Sequence, residues 1–409
     1  MKLIPRILKI TIVALLATIG LVTLVQLLNN ARSRAPEKTD FAQEYLNAKA
    51  TVSGINPYQP MDVLAERFGI TTQFRHPSPH PPSFVIFSVP LAFFSFRDAS
   101  FIWLVIGLAS LLVSLRLLFS LGTLQLIIVF LIAVGWLPVW ANLYLGQLML
   151  LQLVLLTLTW LSLRSEREVL GGLLLGLTIA VKLITWPLLV FLIFRRRFRA
   201  AAAAVGVVAL TNLIALAVLG AGTVFNYYFH TAREIASIYR DHAFNISAWS
   251  IGARLFAGTR TAGDVPFQIE PLISAHSLVN LATMIVVLAI GIYAFFTALK
   301  ARAFDTSFAI LVCATIILSP VSWISYLTLL MIPLTITLRA GDWQSRGVTV
   351  LCLIAPYFYQ GVVPLFGSSA SFAAGMLTML PMFTVLLMIT VLYYRDRAQV
   401  TADRRFSAG

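Results

Sequence analysis

The chain has 409 residues, 59% of them hydrophobic and only 11% charged, with a mean hydropathy of +0.89. Those values exclude an ordinary soluble globular domain and leave a polytopic membrane protein. The net charge of +14 is no argument for a nucleic-acid partner, because the basic residues sit in short gaps between apolar runs, as the positive-inside pattern requires.

Four such groups are assigned to the cytoplasm: Lys2, Arg6 and Lys9; Arg195, Arg196, Arg197 and Arg199; Lys300 and Arg302; and Arg395, Arg397, Arg404 and Arg405. Both termini are then inside, the number of crossings is even, residues 395–409 form a cytoplasmic tail, and the chain is expected in the plasma (inner) membrane. Residues 7–28 read as an uncleaved first span, since the apolar stretch is too long for a secretory signal and lacks a small-residue cleavage site. Cys313 and Cys352 lie in apolar segments, which argues against a disulfide framework or a zinc site.

The first span delivers the chain to an external loop, residues 29–82. Within it, TDFAQEYLNAKATVSGINPYQP (39–60) places Asp40 and Glu44 one helical turn apart on one face. Gly54 and Asn56-Pro57-Tyr58 then form a turn. Residues 40–53 and 60–68 mix apolar and polar positions at helical spacing, which predicts short amphipathic helices lying on the membrane. FRHPSPHPPS (74–83) is forced into an extended path by its prolines.

Residues 83–96 are short for a span, and Pro90 interrupts them, so two topologies compete as far as residue 199. If the run crosses, the next spans are 99–119, 123–138, 146–163 and 169–194. If it does not, residues 169–194 must be two short helices meeting at Lys182 to Pro187. Beyond, residues 200–222 cross, 223–272 form a second external loop carrying Glu234, Asp241, Asn245, Asp264 and Glu270, and later spans fall near 274–299, 305–318, 322–338, 347–365 and 374–394. The expected architecture is a single all-α membrane domain over 1–409, a transmembrane helical bundle of about 12 spans (10–13).

Ionisable residues in or beside membrane segments are costly and mark function or a snorkelling anchor. Asp40, Glu44, Lys182, His76 and His80 make up that group; Asn142, Gln147, Asn245, Ser247, Ser319, Ser322 and Trp323 are uncharged polar punctuation at span ends. Each has a plainer reading. Asp40 suits a helix N-terminus, Glu44 a solvated surface, the histidines a solvated proline loop, Lys182 a snorkelling lysine, and Ser319-Pro320 a break between spans. An external acid, a membrane-embedded cation and aromatic loops together suit glycosyl transfer from a lipid phosphate. A base deprotonates an acceptor hydroxyl while a cation stabilises the departing phosphate. No Asp-x-Asp motif is present, and neither a metal nor a cofactor is expected.

These residues resemble the polyprenol-phosphate-sugar-dependent glycosyltransferases of the GT-C superfamily, in the family eighty-seven branch that includes the mycobacterial phosphatidylinositol mannoside mannosyltransferases. The matching elements are Asp40-Phe41, Tyr45, Gly54-Ile55-Asn56-Pro57-Tyr58, Pro81-Pro82, Gly146-Gln147, Gly171 to Lys182 with Pro187 and Arg195 to Arg199, Asn245 with Ser247, and Ser319 to Trp323. The resemblance implies a GT-C fold and an inverting transferase whose essential acid is Asp40. Two departures stand out. Relatives often carry a histidine where this chain has Ser325 and Tyr326, which would move that role to His76 or His80, and the lysine element has extra length before Pro187.

The resulting expectation is a mannosyltransferase-like enzyme moving a hexose from a polyprenyl-phosphate donor to a lipid or glycan acceptor on the external face, with membrane lipids but no nucleic acid as partners. Asp40 is the base; Lys182 and Arg75 bind the donor phosphate; Glu44, Tyr58, His76, His80, Gln147, Asn245, Ser319 and Trp323 shape the substrate site. A transporter or lipid flippase is the alternative, with Lys182 beside Pro187 read as a discontinuous helix, and an inactive structural partner of a cell-envelope complex is the third.

Overall fold

The computed structural model describes residues 3–407 apart from 32, 34, 262–266 and 340. Lys2 and Asp264 fall outside the described residues, as do the side chains of Arg6, Arg404 and Arg405. The chain is helical almost throughout, so the expected all-α membrane class holds.

Among the described residues, five helices are long and apolar enough to cross a bilayer: Ile7–Asn30, Phe96–Leu118, Phe198–Leu219, His276–Lys300 and Phe372–Ala398. Thr123–Gly135 and Leu137–Leu145, bent by 74°, make a sixth if counted together. The count of about twelve came from apolar runs, and several of those runs are shorter helices of 10–17 residues, such as Pro82–Phe93, Glu168–Val181 and Leu183–Phe194. Ile7–Asn30 and Phe198–Leu219 turn nearly all their apolar side chains outward. Such a surface is stable only against lipid.

Both disputed stretches follow their local chemistry. The 83–96 run starts as a helix with Pro82 at its first position, where the missing N–H costs nothing. It tightens to a 3-10 turn around Pro90 and ends in extended backbone at Phe94 and Ser95. Residues 169–194 break at Lys182, whose backbone is extended (φ −155°, ψ 126°) between the Glu168–Val181 and Trp186–Phe194 helices. That is the pair of short helices one of the two topologies demands.

The chain divides into two compact units, Met1–Leu158 with Ala209–Thr231, and Thr159–Val208 with Ala232–Gly409. In the first unit the N-terminal helix packs on Thr123–Gly135 through glycine. A Cβ at Gly20 would run into the Leu131 carbonyl, and one at Gly135 would sit 3.3 Å from the Gly20 Cα. Without side chains at the contact the two backbones approach closely, as small-residue membrane interfaces do.

The Phe41–Val52 helix is present as expected but is not one-faced: every residue from Phe41 to Ala48 is buried. The cause is an aromatic anchor. Phe41 packs on Trp103 and Phe96 with ring centroids 5.7 and 5.8 Å apart, Tyr45 meets Phe96 edge-on at 5.3 Å, and the Tyr45 hydroxyl donates to the Phe94 carbonyl.

In the second unit the core is the Phe304–Leu318 helix, buried without a break from Thr306 to Ile317. It packs against Val279–Lys300, Met331–Leu338 and Leu380–Ser407. Three two-residue strands form a small sheet in the order β1 (Thr259–Arg260), β2 (Gln268–Ile269), β3 (Ser369–Ala370), antiparallel and then parallel. The basic loop after Phe194 is more than a solvated topology signal. The Arg195 guanidinium donates to the Ala301 carbonyl and the Ser307 hydroxyl, and Arg197 lies 4.5 Å from the Phe304 ring and 3.4 Å from Glu168.

Candidate active site

In the first unit the site is built around Asp40. The residue stands at the N-terminus of the Phe41–Val52 helix in helical backbone and is half-buried, and its side chain makes no helix cap. Its carboxylate instead receives the side-chain amide of Gln147. Three further hydrogen bonds fix this corner, one of them joining Thr39 to Leu145. The Thr39 hydroxyl donates to the Leu145 carbonyl at 2.6 Å and accepts the Phe41 N–H, and the Trp103 indole N–H donates to the Gly146 carbonyl at 2.9 Å.

Gly146 is required by geometry. Its φ is +73°, a region that costs other residues about 1–2 kcal/mol, and an added Cβ would lie 2.7 Å from the Phe41 Cβ. The Gly-Gln pair is therefore a turn that only glycine can make, followed by the amide it aims at Asp40. An amide N–H on a carboxylate favours the charged, proton-accepting form.

Glu44, one turn on, is not the solvated surface acid its spacing allowed. It is 2% exposed, with Oε1 3.0 Å from His80 Nε2. His80 is likewise buried, and its neighbour Ser78 accepts the Asn47 amide at 2.6 Å and the His80 N–H at 3.3 Å. The Tyr58 hydroxyl donates to the His80 carbonyl and the Tyr227 hydroxyl to the Pro79 carbonyl, both at 2.8 Å, and the two rings pack 4.8 Å apart. Burial and the two neighbouring tyrosines push the Tyr58 phenol well above its ordinary range, so it acts as a neutral donor. The four-proline loop is thus tied down on the acid-bearing helix. His76 is half-buried, with Nδ1 2.7 Å from the Pro77 carbonyl, and Arg75 is exposed.

In the second unit the ammonium of Lys182 lies 4.3 Å from the centroid of Tyr326. A cation over a phenol face is attracted by the ring's quadrupole. The two places where the chain departs from the pattern it resembles, the lysine element and Ser325-Tyr326, therefore meet each other.

Asn245 and the Ser319 to Trp323 segment also come together, with a different result. Asn245 is fully buried. Its amide N–H groups serve the carbonyls of Tyr239, Arg240 and Pro320 at 3.0–3.3 Å, and its Oδ1 accepts the N–H groups of Ser247 and Ser322, both at 3.0 Å. No capacity is left for a sugar. Ser247 donates to the Ser319 carbonyl, and the Ser319 hydroxyl donates to the Val321 carbonyl. Trp323 is half-buried between Tyr239 and His242, meeting both rings edge-on at 5.6 and 5.1 Å.

Two residues that sequence reasoning passed over belong to this region. His242 Nδ1 accepts the Phe244 N–H, and burial, with Arg254 nearby, lowers its pKa to about 4. Arg254 is wholly buried and donates to the carbonyls of Ala243, Asn245 and Gly375, and burial lowers it to about 9. The signal for His242 was its place three residues before Asn245; Arg254 left none.

Residues 79–333 match glycosyltransferase family 87, more than half of the chain. The chain belongs to that family. No curated protein and no solved structure matches it. The family 87 match takes in His80, Gln147, Lys182, Asn245, Ser319 and Trp323, while Asp40, Glu44, Tyr58, Arg75 and His76 precede it. The protein is accordingly a membrane glycosyltransferase, with a sugar donor and an acceptor as substrates.

Proposed function

We propose that the protein transfers a hexose, with mannose as the first candidate, from a polyprenyl-phosphate donor to a lipid or glycan acceptor at the external face of the plasma membrane, with inversion at the anomeric carbon and both termini cytoplasmic. The observation that carries this reading is the Asp40–Gln147 contact, in which a half-buried carboxylate is fixed by an amide on a glycine turn. Asp40 takes the proton of the acceptor hydroxyl as its oxygen bonds to the anomeric carbon; the bond from that carbon to the phosphate oxygen breaks, and the polyprenyl phosphate leaves with the electron pair.

Lys182 remains the proposed cation for the departing phosphate. Its ammonium, positioned by the Tyr326 ring, is a charged donor of the kind that stabilises a departing phosphate. Arg75 is kept as the second cation, an exposed guanidinium suited to first capture of phosphate. Asn245 is better described as a scaffold of the fold, for the reasons of saturation given above.

The test uses purified enzyme in lipid nanodiscs with polyprenyl-phosphate mannose, polyprenyl-phosphate glucose and GDP-mannose as radiolabelled donors. The reading predicts transfer from a polyprenyl-phosphate sugar with inverted configuration, and a Lys182→Met enzyme whose KM for that donor rises about tenfold, the scale of one charge-assisted contact. Transfer from the nucleotide sugar alone, or retention at the anomeric carbon, would sink it.

A further inference from the structure

The second unit contains an open cavity of about 1050 Å3 between the Ala232–Arg240 helix and the small sheet. That is at the upper end of small-molecule sites, roomy for a short oligosaccharide and generous for a single hexose. Its walls are fixed from behind. Arg254 pins the backbones of Ala243, Asn245 and Gly375, and Ala243, Phe267, Ile269 and Ala370 form a buried apolar layer. Gly258 enters β1 with φ +77°, and a Cβ there would lie 2.8 Å from the Ile269 carbonyl.

The lining is chemically mixed. Asp241 and Glu270 supply carboxylates, Arg260 a guanidinium, Gln268 an amide, and His242 and His276 imidazoles. His242 uses Nδ1 as the acceptor for Phe244, so in the neutral ring the proton sits on Nε2 and can be donated. With its pKa near 4, that ring is uncharged at neutral pH. Asp241 is held in a two-point ion pair by Arg240, so the lining carries no excess of positive charge, which disfavours a phosphate. Alternating acceptors and donors, several of them planar and bidentate, match the paired hydroxyls of a sugar.

We propose that this cavity binds the carbohydrate part of the acceptor, an uncharged oligosaccharide held by Glu270, Asp241, Gln268, Arg260 and His242. The inference rests on the glycosyl-transfer reading and names the substrate class that reading leaves open.

It is tested by saturation-transfer NMR on the full-length protein in nanodiscs, with mannotriose, maltotriose and cellotriose as neutral probes and glucose 1-phosphate as the charged one. At least one trisaccharide binds the wild type. Its affinity falls tenfold or more in Glu270→Gln, and also in Ser237→Trp, which fills the cavity from an exposed helix position and so guards against misfolding of the first variant. Failure of all three trisaccharides to bind, preference for the phosphate probe, or unchanged affinity in either cavity variant overturns the proposal.

The two readings fail separately. If no polyprenyl-phosphate donor is used but the trisaccharide results hold, the transfer reading falls and the cavity stands as a sugar site. If transfer is intact and Glu270→Gln leaves the acceptor KM unchanged, the cavity proposal falls and the transfer reading stands.

Discussion

Gln147 and Asn245 are both amides in short polar motifs at the ends of apolar runs, and they do opposite work. Gln147 follows a left-handed glycine and gives its N–H to a half-buried carboxylate. Asn245 is fully buried and gives everything to backbone, three carbonyls through Nδ2 and two N–H groups through Oδ1. An amide whose partners are all main chain is holding loops together, whereas an amide on the proposed base is placed to tune it. The two regions can therefore be separated by asking whether a substitution moves stability or turnover.

Asn245→Ala removes five hydrogen bonds to backbone groups and is expected to have the largest stability effect, about 5 kcal/mol at roughly 1 kcal/mol for each lost bond. Thermal unfolding checks it, and the surviving folded fraction should turn over normally. Gly146→Ala combines left-handed strain with the Phe41 contact and should cost about 3 kcal/mol. It should also lower kcat, because the same turn aims Gln147; a loss of stability with normal turnover would detach that turn from the site.

Gln147→Ala is expected to leave the melting temperature within about 2 °C while lowering kcat about tenfold, the worth of one hydrogen bond to a charged group. The last effect, confined to acid pH and absent at neutral pH, belongs to His242. Its folded pKa, near 4, lies below the unfolded value near 6.5, so the unfolded chain binds the extra proton between those values. The contribution of His242 is fully present above pH 6.5 and is lost as pH falls towards 4. His242→Asn can still accept the Phe244 N–H but cannot titrate, and should melt less steeply with acid than the wild type.

Much of this was legible in the sequence. The apolar runs gave the membrane class, Asp40 and Gly146-Gln147 stood out as polar residues at membrane boundaries, and a helix broken between Lys182 and Pro187 was one of two topologies left open. What the sequence could not convey was partnership at long range. Glu44 and His80 are 36 positions apart; both were expected at the substrate site, with a solvated residue as the plainer reading, and only the folding back of the proline loop shows that they are buried against each other. The span count is not fixed by the apolar runs, because a stretch such as Leu183–Phe194 looks the same whether it crosses or stops partway. Asn245 looked like a sugar ligand for a related reason: composition shows that an amide is present, and only packing shows that its hydrogen bonds are already taken.

The central claim, that Asp40 is the base, is tested most directly by single-turnover transfer from radiolabelled polyprenyl-phosphate mannose with Asp40→Asn, a change that keeps the size and the contact with Gln147 but removes the proton acceptor. The account predicts a loss of about a thousandfold, within the range for general-base catalysis, with donor binding and melting temperature unchanged. Transfer within tenfold of the wild type by the folded variant would contradict it.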